Sequence, residues 1–225
     1  MAEGKTRAAK AALEFVKDGM EIGLGSGSTA AEFIRLLGAR AKTRKWKLSC
    51  VPTSEDSRTL ALKAGLTVVA LDEVRKLDLA VDGADAVDPN LNMIKGGGGC
   101  HAREKVVAYA AKKFVCIVDE SKMKKSLDNY PVPVEVLPFA AAHAAKSIEK
   151  TWAAKAVLRR GGGKVGPLVT DNGNYILDAT FKRVGSPCEL ERELNCIPGV
   201  VANGVFSLKR PILIIGKKKG AEMRA

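Results

Sequence analysis

A run of four glycines, Gly96 to Gly99, is the segment of this 225-residue chain best suited to touch a ligand. Glycine loses more backbone entropy on ordering than any other residue, so such a run is kept where a ligand meets the backbone or the chain turns sharply. Lys95 precedes the run, and Glu104 follows it at the start of a predicted helix. A carboxylate whose pKa is tuned upward can move a proton between neighbouring carbons, and an ammonium group with bare amides can stabilise the anionic oxygen that results. An ordinary charged helix start, Arg103-Glu104-Lys105, is the competing interpretation of the glutamate.

A second candidate segment, Gly-Ser-Gly-Ser-Thr at positions 25–29, stands between a predicted strand and a predicted helix. Helix N-termini present unpaired N–H groups and partial positive charge, which suit phosphate. The turn lacks the G-K-[ST] ending of a P-loop, and a structural helix cap explains it at least as well. Lys5 could reach a phosphate there, although a surface charge is the simpler interpretation.

A third candidate, Asp82-Gly83-Ala84-Asp85, follows a predicted buried strand. These aspartates suit hydrogen bonding to sugar hydroxyls, and a turn with local side-chain hydrogen bonds is equally consistent with them. A metal site that includes the nearby Asp88 is another interpretation. It is only weakly supported, because the spacing of the aspartates is not that of a calcium loop. His101 lacks a placed partner and is interpreted as incidental, whereas Lys122 could reach the same edge from the next strand.

The elements that carry these segments alternate between strand and helix. Near-continuous apolar runs predict strands at 20–24, 48–51, 66–71, 77–81 and 114–118, and helical periodicity covers 6–17, 28–37 and 54–64. This alternation favours an α/β fold, a Rossmann-like mostly parallel sheet. In such sheets ligands bind at the carboxyl edge where the strand order reverses, and each unusual segment directly follows a strand.

The pattern changes near Pro131. We predict a helix over about 140–158, a hairpin of 168–170 with 175–177 across Asn172-Gly173, a helix over 189–195 and strands at 200–201 and 205–206. This favours a smaller ferredoxin-like α+β domain. The predicted domains are 1–128 plus 207–225 for the α/β catalytic part and 129–206 for the smaller part, with the strand 211–215 returning to the first sheet.

Composition excludes several classes of protein. The apolar fraction of 46% supports a packed core, and no apolar run is long enough to span a membrane. Five cysteines without a C-x-x-C pair argue against a zinc site or a disulfide framework, and the absence of a signal-peptide pattern predicts a cytoplasmic protein. The net charge of +12 could attract anions, but the basic residues are scattered, which favours a solvated surface as the explanation. Without a nucleic-acid-binding motif, they do not favour nucleic acid as a partner.

Taken together and in this order, the motifs resemble the type A ribose-5-phosphate isomerase family. The matching segments are Gly-Leu-Gly-Ser-Gly-Ser-Thr-Ala (23–30), Val-Asp-Gly-Ala-Asp (81–85), Met-Ile-Lys-Gly-Gly-Gly-Gly (93–99), Arg-Glu-Lys (103–105), Pro-Val-Pro-Val-Glu-Val (131–136), Val-Thr-Asp-Asn-Gly-Asn (169–174) and Ile-Pro-Gly-Val-Val (197–201). The resemblance runs from about Lys5 to Gly216. It implies conversion between ribose 5-phosphate and ribulose 5-phosphate through an enediolate, without metal or other cofactor, in a homodimer or homotetramer.

The resemblance also implies roles for single residues. Glu104 would be the base, with Asp82, Asp85 and Lys95 as the other catalytic residues. The residues expected to contact substrate are Lys5, Ser26, Gly27, Ser28, Thr29, Asp82, Gly83, Ala84, Asp85, Lys95, Gly96, Gly97, Gly98 and Lys122.

The chain departs from the family's common pattern at three places. Ser26 stands where threonine is common, Ala86 where glutamate is common, and Cys100-His101 where small or apolar residues are common. A sugar-phosphate sensor of the same architecture is the alternative function, but a sensor needs the phosphate turn without Glu104.

Overall fold

The computed structural model describes residues 2–163 and 165–225. Their contacts divide into two compact units. The first unit contains the chain up to Ala84, Arg103–Met123 and Lys209–Ala225, and the second unit contains Asp85–Ala102 and Lys124–Leu208. Residues 85–102, which the sequence patterns place in the larger domain, thus have most of their contacts within the second unit.

Strands and helices alternate along much of the chain. The strands are β1 (Glu21–Leu24), β2 (Ser49–Pro52), β3 (Thr67–Val68), β4 (Leu79–Asp82), β5 (Ala86–Val87), β6 (Met93–Ile94), β7 (Lys113–Asp119), β8 (Pro131–Val136), β9 (Lys155–Leu158), β10 (Tyr175–Thr180), β11 (Val200–Asn203), β12 (Val205–Phe206), β13 (Ile212–Gly216) and β14 (Ala221–Arg224). The helices are α1 (Ala2–Ala12), α2 (Ser28–Arg44), α3 (Glu55–Lys63), α4 (His101–Ala110), α5 (Ala141–Trp152) and α6 (Pro187–Asn195).

The first unit is built on a seven-stranded sheet in the order β14-β13-β7-β4-β1-β2-β3. Neighbouring strands run parallel, apart from the antiparallel pair of β13 and β14. Counted along the chain, the parallel strands follow the order 3-2-1-4-5-6, which reverses between β1 and β4. The predicted α/β fold is therefore confirmed, and the reversal marks the carboxyl ends of β1 and β4 as the place where a ligand is expected.

Apolar side chains explain why this sheet forms. All residues of β7 except its first are buried, as are the last four of β13, because helices cover a parallel sheet on both faces. The core of the first unit includes Ile22, Phe33, Leu37, Val115 and Ile214. The predicted return of 211–215 to the first sheet is confirmed by the parallel pairing of β13 with β7.

The second unit contains the elements β8-α5-β9-β10-α6-β11. Its four-stranded sheet has the order β11-β8-β10-β9, and all neighbouring pairs are antiparallel. This is the ferredoxin-like arrangement that the sequence predicts. A second, small sheet has the order β12-β6-β5, and its strand β6 directly precedes Lys95 and the glycine run.

Two predictions for the second unit are wrong. The helix predicted to reach Leu158 ends at Trp152, because Ala153 adopts the left-handed conformation with φ of 48°, and residues 155–158 form β9 instead. The predicted hairpin partner of Tyr175–Leu177 is also wrong, because β10 pairs with β8 and β9 and not with 168–170.

Two further features bear on chemistry. The structure describes all five cysteines, and none of them is in a disulfide. Burial raises the pKa of the Cys50 thiol to about 12, as is typical of a packing residue. Among the helices in the described part of the chain, none combines the length and hydropathy needed to cross a bilayer.

Candidate active site

A hydrogen bond joins the turn after β1 to Asp82, the last residue of β4. The Asp82 carboxylate is 3% exposed, and its Oδ1 accepts hydrogen bonds from the amides of Ser26 at 3.1 Å and Gly83 at 2.7 Å. A Cβ on Gly25 would lie 2.1 Å from the same oxygen, so a glycine is needed at this position. The structure thus brings the second and third predicted segments together where the strand order reverses.

Ser26 is also held from the neighbouring strand. Its Oγ lies 2.8 Å from Thr53 Oγ1 and donates to Ser54 Oγ at 2.7 Å. Both partners directly follow β2, which pairs with β1. Sequence reasoning missed Thr53 and Ser54 because their proximity to Ser26 comes from strand order and leaves no spacing signal in the chain.

The N-terminus of α2 carries the predicted phosphate residues. Gly27 caps the helix with φ of 88°, a conformation that favours glycine, and Ser28 and Thr29 form the first turn. Lys5 on α1 donates from Nζ to Ser28 Oγ at 2.8 Å, so the lysine does reach this turn. Hydroxyls, an ammonium group and a helix N-terminus in one place can hold a phosphate.

Asp119 connects two of the predicted cations. Burial raises the pKa of this carboxyl, but hydrogen bonds from the hydroxyl and amide of Ser121, with the charges of Lys5 and Lys122, outweigh it and hold the pKa below its usual value. Lys122 follows β7 in a single 3-10 turn. The two lysines therefore lie near one ionised carboxylate, which offsets part of their positive charge.

Glu104 lies in the first turn of α4. It is 5% exposed and its neighbour Lys105 is 8% exposed, so this segment is not an ordinary surface helix start. Helix α4 packs closely on β1, since a Cβ on Gly23 would lie 2.3 Å from Val107 Cγ1. The sheet of the first unit thereby fixes the helix that carries the predicted base.

The second unit positions the lysine and the glycine run. Lys95 is 2% exposed, its amide donates to Gly204 O at 2.9 Å, and its Nζ lies 5.4 Å from the centre of the Phe206 ring. Asp85 Oδ2 accepts a hydrogen bond from the Gly97 amide at 2.7 Å. Asp85 and the glycine run are therefore directly connected, as two of the predicted site segments.

Local contacts describe two further residues that the sequence analysis considered, His101 and Asp88, and the groups that could bind a metal. His101 is fully buried and packs on Gly96, where a Cβ would lie 2.6 Å from its Nδ1. Asp88 accepts hydrogen bonds from the amides of Asn90 and Asn92, as expected of a structural turn. Within residues 2–163 and 165–225, no three His, Cys, Asp or Glu side chains are grouped so that they could hold a metal ion.

Each unit thus holds part of the predicted set. The first unit contains Lys5, Ser26, Gly27, Ser28, Thr29, Asp82, Gly83, Ala84, Glu104 and Lys122, and the second contains Asp85, Lys95, Gly96, Gly97 and Gly98. The first unit offers buried carboxylates and a helix N-terminus of a kind that suits anions, and the second unit offers a buried ammonium group and peptide groups of the glycine run.

Comparison with known proteins identifies relatives over nearly the whole chain. The family model "Ribose 5-phosphate isomerase A (phosphoriboisomerase A)" matches residues 49–220. Ribose-5-phosphate isomerase A of Thermococcus kodakarensis is 48% identical over 222 residues, which cover 98% of this chain and 96% of the relative.

Solved structures agree with this. Ribose 5-phosphate isomerase A of Methanocaldococcus jannaschii superimposes with a TM-score of 0.95 at 45% identity, covering 99% of this chain and 98% of the other. A D-ribose-5-phosphate isomerase in complex with phospho-erythronic acid gives the same TM-score, identity and coverage.

Proposed function

This chain belongs to the ribose 5-phosphate isomerase A family, and we propose that it interconverts D-ribose 5-phosphate and D-ribulose 5-phosphate through an enediolate. The similarity to ribose-5-phosphate isomerase A of Thermococcus kodakarensis carries the proposal, because it covers 98% of this chain at 48% identity. The burial of Glu104 supports catalysis over mere sensing of the sugar phosphate, since a sensor has no need of a buried base.

Glu104 is the proposed base. It removes the proton from C2 of the open-chain aldose, so that the C2–H electrons form the C1–C2 double bond and O1 takes the negative charge. Glu104 then returns the proton to C1, while the proton of the O2 hydroxyl passes to O1, so that O1 becomes a hydroxyl and O2 becomes the ketose carbonyl. One carboxylate thus serves as base and acid in turn.

Lys95, Asp82 and Asp85 are the other proposed catalytic residues. The ammonium group of Lys95 stabilises the enediolate oxygen, where negative charge develops, together with amides of the glycine run. The carboxylates of Asp82 and Asp85 hydrogen-bond the sugar hydroxyls and support proton transfer between O1 and O2. Gly83, Ala84, Gly96, Gly97 and Gly98 provide the backbone against which the sugar lies.

The phosphate is proposed to bind at the N-terminus of α2. Ser26, Gly27, Ser28 and Thr29 supply hydroxyls and amides there. Lys5, which already donates to Ser28, and Lys122 supply positive charge. No step of this mechanism uses a metal or another cofactor.

The test is a steady-state assay of Glu104→Gln with ribose 5-phosphate, run beside arabinose 5-phosphate. The amide keeps the shape of the side chain and cannot accept the proton, so we expect kcat to fall about 10³-fold while ribose 5-phosphate still binds. Glu14→Gln, an exposed carboxylate, is the matched control and should retain full activity. EDTA should leave the wild-type rate unchanged. Retained turnover in Glu104→Gln would remove this residue from the role of base, and a metal requirement would reject the mechanism.

The finer assignments are part of the same proposal. We expect a homodimer or homotetramer that acts in the cytoplasm on a free sugar phosphate, without nucleic acid or membrane as partner. Exposed apolar side chains on the second unit, among them Leu137, Phe139 and Val201, support self-association.

A further inference from the structure

The glycine run lacks side chains that could fix its own conformation. Gly96 and Gly99 have φ of 101° and 80°, and glycine populates many other conformations equally well. A loop that must present amides to a developing oxyanion therefore needs to be held by groups outside it. The Gly97 amide donates to Asp85, and the Gly99 amide donates to Gly96 O within the loop. The carbonyls of Gly96 and Gly97 also accept hydrogen bonds from a residue that the proposed mechanism does not use.

That residue is Arg159, which directly follows β9. Its Nη1 donates to Gly96 O at 2.9 Å and to Gly97 O at 3.1 Å. Its Nε and Nη2 donate to Asp178 Oδ2 at 2.9 Å and Oδ1 at 2.5 Å. One planar group thus joins two carbonyls of the loop to a carboxylate on β10, and only 13% of its side chain is exposed.

We infer that Arg159, oriented by Asp178, is a positioning residue that fixes the peptide groups of the glycine run for isomerisation. The inference rests on the proposed function. A trans peptide bond directs its N–H opposite to its C=O. Because the Gly97 carbonyl faces Arg159, the Gly98 amide faces away from it, and rotation of this peptide would turn the amide to another direction.

The hydrogen bonds at position 159 require an arginine and not another basic residue. A guanidinium group offers several N–H donors in one rigid plane, which lets it bind a carboxylate through two of them and carbonyls through a third. A lysine at this position would keep the charge but not that geometry. Arg159 and Asp178 also border a cavity of about 550 Å³ in the second unit, whose lining includes Asp85, Gly97 and Tyr130.

The first experiment compares steady-state kinetics of Arg159→Ala and Arg159→Lys with those of Arg160→Ala. Arg160 is the next residue and is exposed, so it controls for the loss of an arginine. Since a small misplacement of groups that stabilise a transition state is costly, we expect kcat to fall at least tenfold in both Arg159 variants. KM should stay within threefold of the wild type, and Arg160→Ala should be unchanged. If the alanine variant does not fold, Arg159→Lys alone decides the outcome.

Chemical rescue separates positioning from general stability. The cavity beside Arg159 should admit methylguanidinium, which can occupy the place of the lost side chain in Arg159→Ala. We expect millimolar methylguanidinium to restore kcat at least fivefold in this variant and to leave Arg160→Ala unchanged. A loss of kcat without any rescue would assign Arg159 a merely structural role and overturn the inference.

Hydrogen exchange provides a readout that does not depend on activity. Amides of residues 96–99 should exchange at least tenfold faster in Arg159→Ala than in Arg160→Ala. Asp178→Asn should reproduce part of the effect, and Arg159→Ala combined with Asp178→Asn should lose no more kcat than Arg159→Ala alone, because the two residues act as one unit. Unchanged exchange, or kcat within twofold of the wild type, would overturn the inference even if the wild-type protein proves to be an isomerase. An inactive wild-type protein would instead reject the proposed function, and the exchange result would still decide whether Arg159 orders the loop.

Discussion

The ionisation of the Asp119 carboxyl is expected to affect the stability of the fold. Its carboxylate accepts hydrogen bonds from the Ser121 amide at 2.9 Å and hydroxyl at 2.5 Å, and it lies near the positive charges of Lys5 and Lys122. These groups hold its pKa in the folded state below the ordinary value of 3.8. Asp119 is therefore ionised at neutral pH and offsets part of the repulsion between the two lysines that we propose as phosphate-binding residues.

We predict that Asp119→Asn lowers the free energy of unfolding by about 1–3 kcal/mol at pH 7, because the acceptor of the Ser121 hydrogen bonds loses its charge and Lys5 and Lys122 lose a neighbouring negative charge. Since the folded pKa is depressed, the stabilisation is fully present above the unfolded value of 3.8 and is lost as pH falls through the folded value. The difference between wild type and variant should therefore shrink below pH 4. Urea unfolding at pH 7, 5 and 3 measures it, with exposed Asp72→Asn as control. A difference that stays constant down to pH 3 would contradict this account.

At the scale of elements, the close packing of α4 against β1 fixes the position of Glu104, the proposed base. The helix sits so close to the strand that Gly23 has no room for a Cβ beside Val107 Cγ1 and, at 3.2 Å, Ala80 Cβ. Glu104 precedes Val107 on the same helix by about one turn. A displacement of α4 would therefore move Glu104 with it.

We predict that Gly23→Ala destabilises the protein by about 1–3 kcal/mol, as expected of overpacking in a core, and lowers kcat. Val107→Ala removes the opposing methyl groups, so the double variant should recover part of both losses. Gly162→Ala, where a Cβ meets open space, is the control. Thermal unfolding and the isomerase assay measure the two effects. Additive losses in the double variant would show that the two residues do not compete for the same space.

The elements that sequence predicts best are those with a local signal. β1, β2, β4, β7 and β13 are short apolar runs, and a covered parallel sheet requires such runs. The strand β9 was not predicted, because the end of α5 leaves no signal in the sequence. The residue after the helix, Ala153, adopts a conformation that is usual for glycine or asparagine. No glycine or proline there marked the end of the helix.

Long-range contacts explain why the predicted hairpin of 168–170 with 175–177 is wrong. Asn172-Gly173 is a strong local signal for a hairpin, yet Glu135 organises this segment. Glu135 is fully buried, and its Oε1 accepts from Thr170 Oγ1 at 3.0 Å and from Nδ2 of Asn172 and Asn174 at 2.9 Å each. The site shows the same division: its loops were predicted from local motifs, whereas Thr53, Ser54 and Arg159 depend on strand order and could not be.

At the scale of the whole molecule, charge and exposed apolar surface point to different partners. The net charge of +12 attracts anions such as sugar phosphates. The second unit also has exposed apolar side chains: Phe139 is fully exposed, and Leu137 and Val201 are nearly half exposed. The Leu137 amide donates to Gly199 O, which brings the segment of Leu137 and Phe139 next to the segment that leads to Val201 on the second unit. We propose this patch as the surface through which copies of the chain associate.

We predict that Phe139→Asp raises the dissociation constant of the oligomer at least tenfold, because a charge in an apolar interface is costly to desolvate. Leu62→Asp, an exposed apolar residue of α3 in the first unit, should leave association unchanged. Sedimentation velocity from about 1 to 100 μM measures it. A monomeric wild-type protein over this range would contradict the proposal, as would an unchanged Phe139→Asp oligomer.

The antiparallel strand β14 closes one edge of the large sheet. It covers β13, whose Ile-Leu-Ile-Ile run would otherwise present an open row of peptide groups, and it carries Glu222, which pairs with Lys217 and Arg224. The opposite edge, β3, is only two residues long. A short charged border strand is a poor template for cross-β growth, so the sheet that supports the site is shielded from amyloid-like stacking while it stays folded.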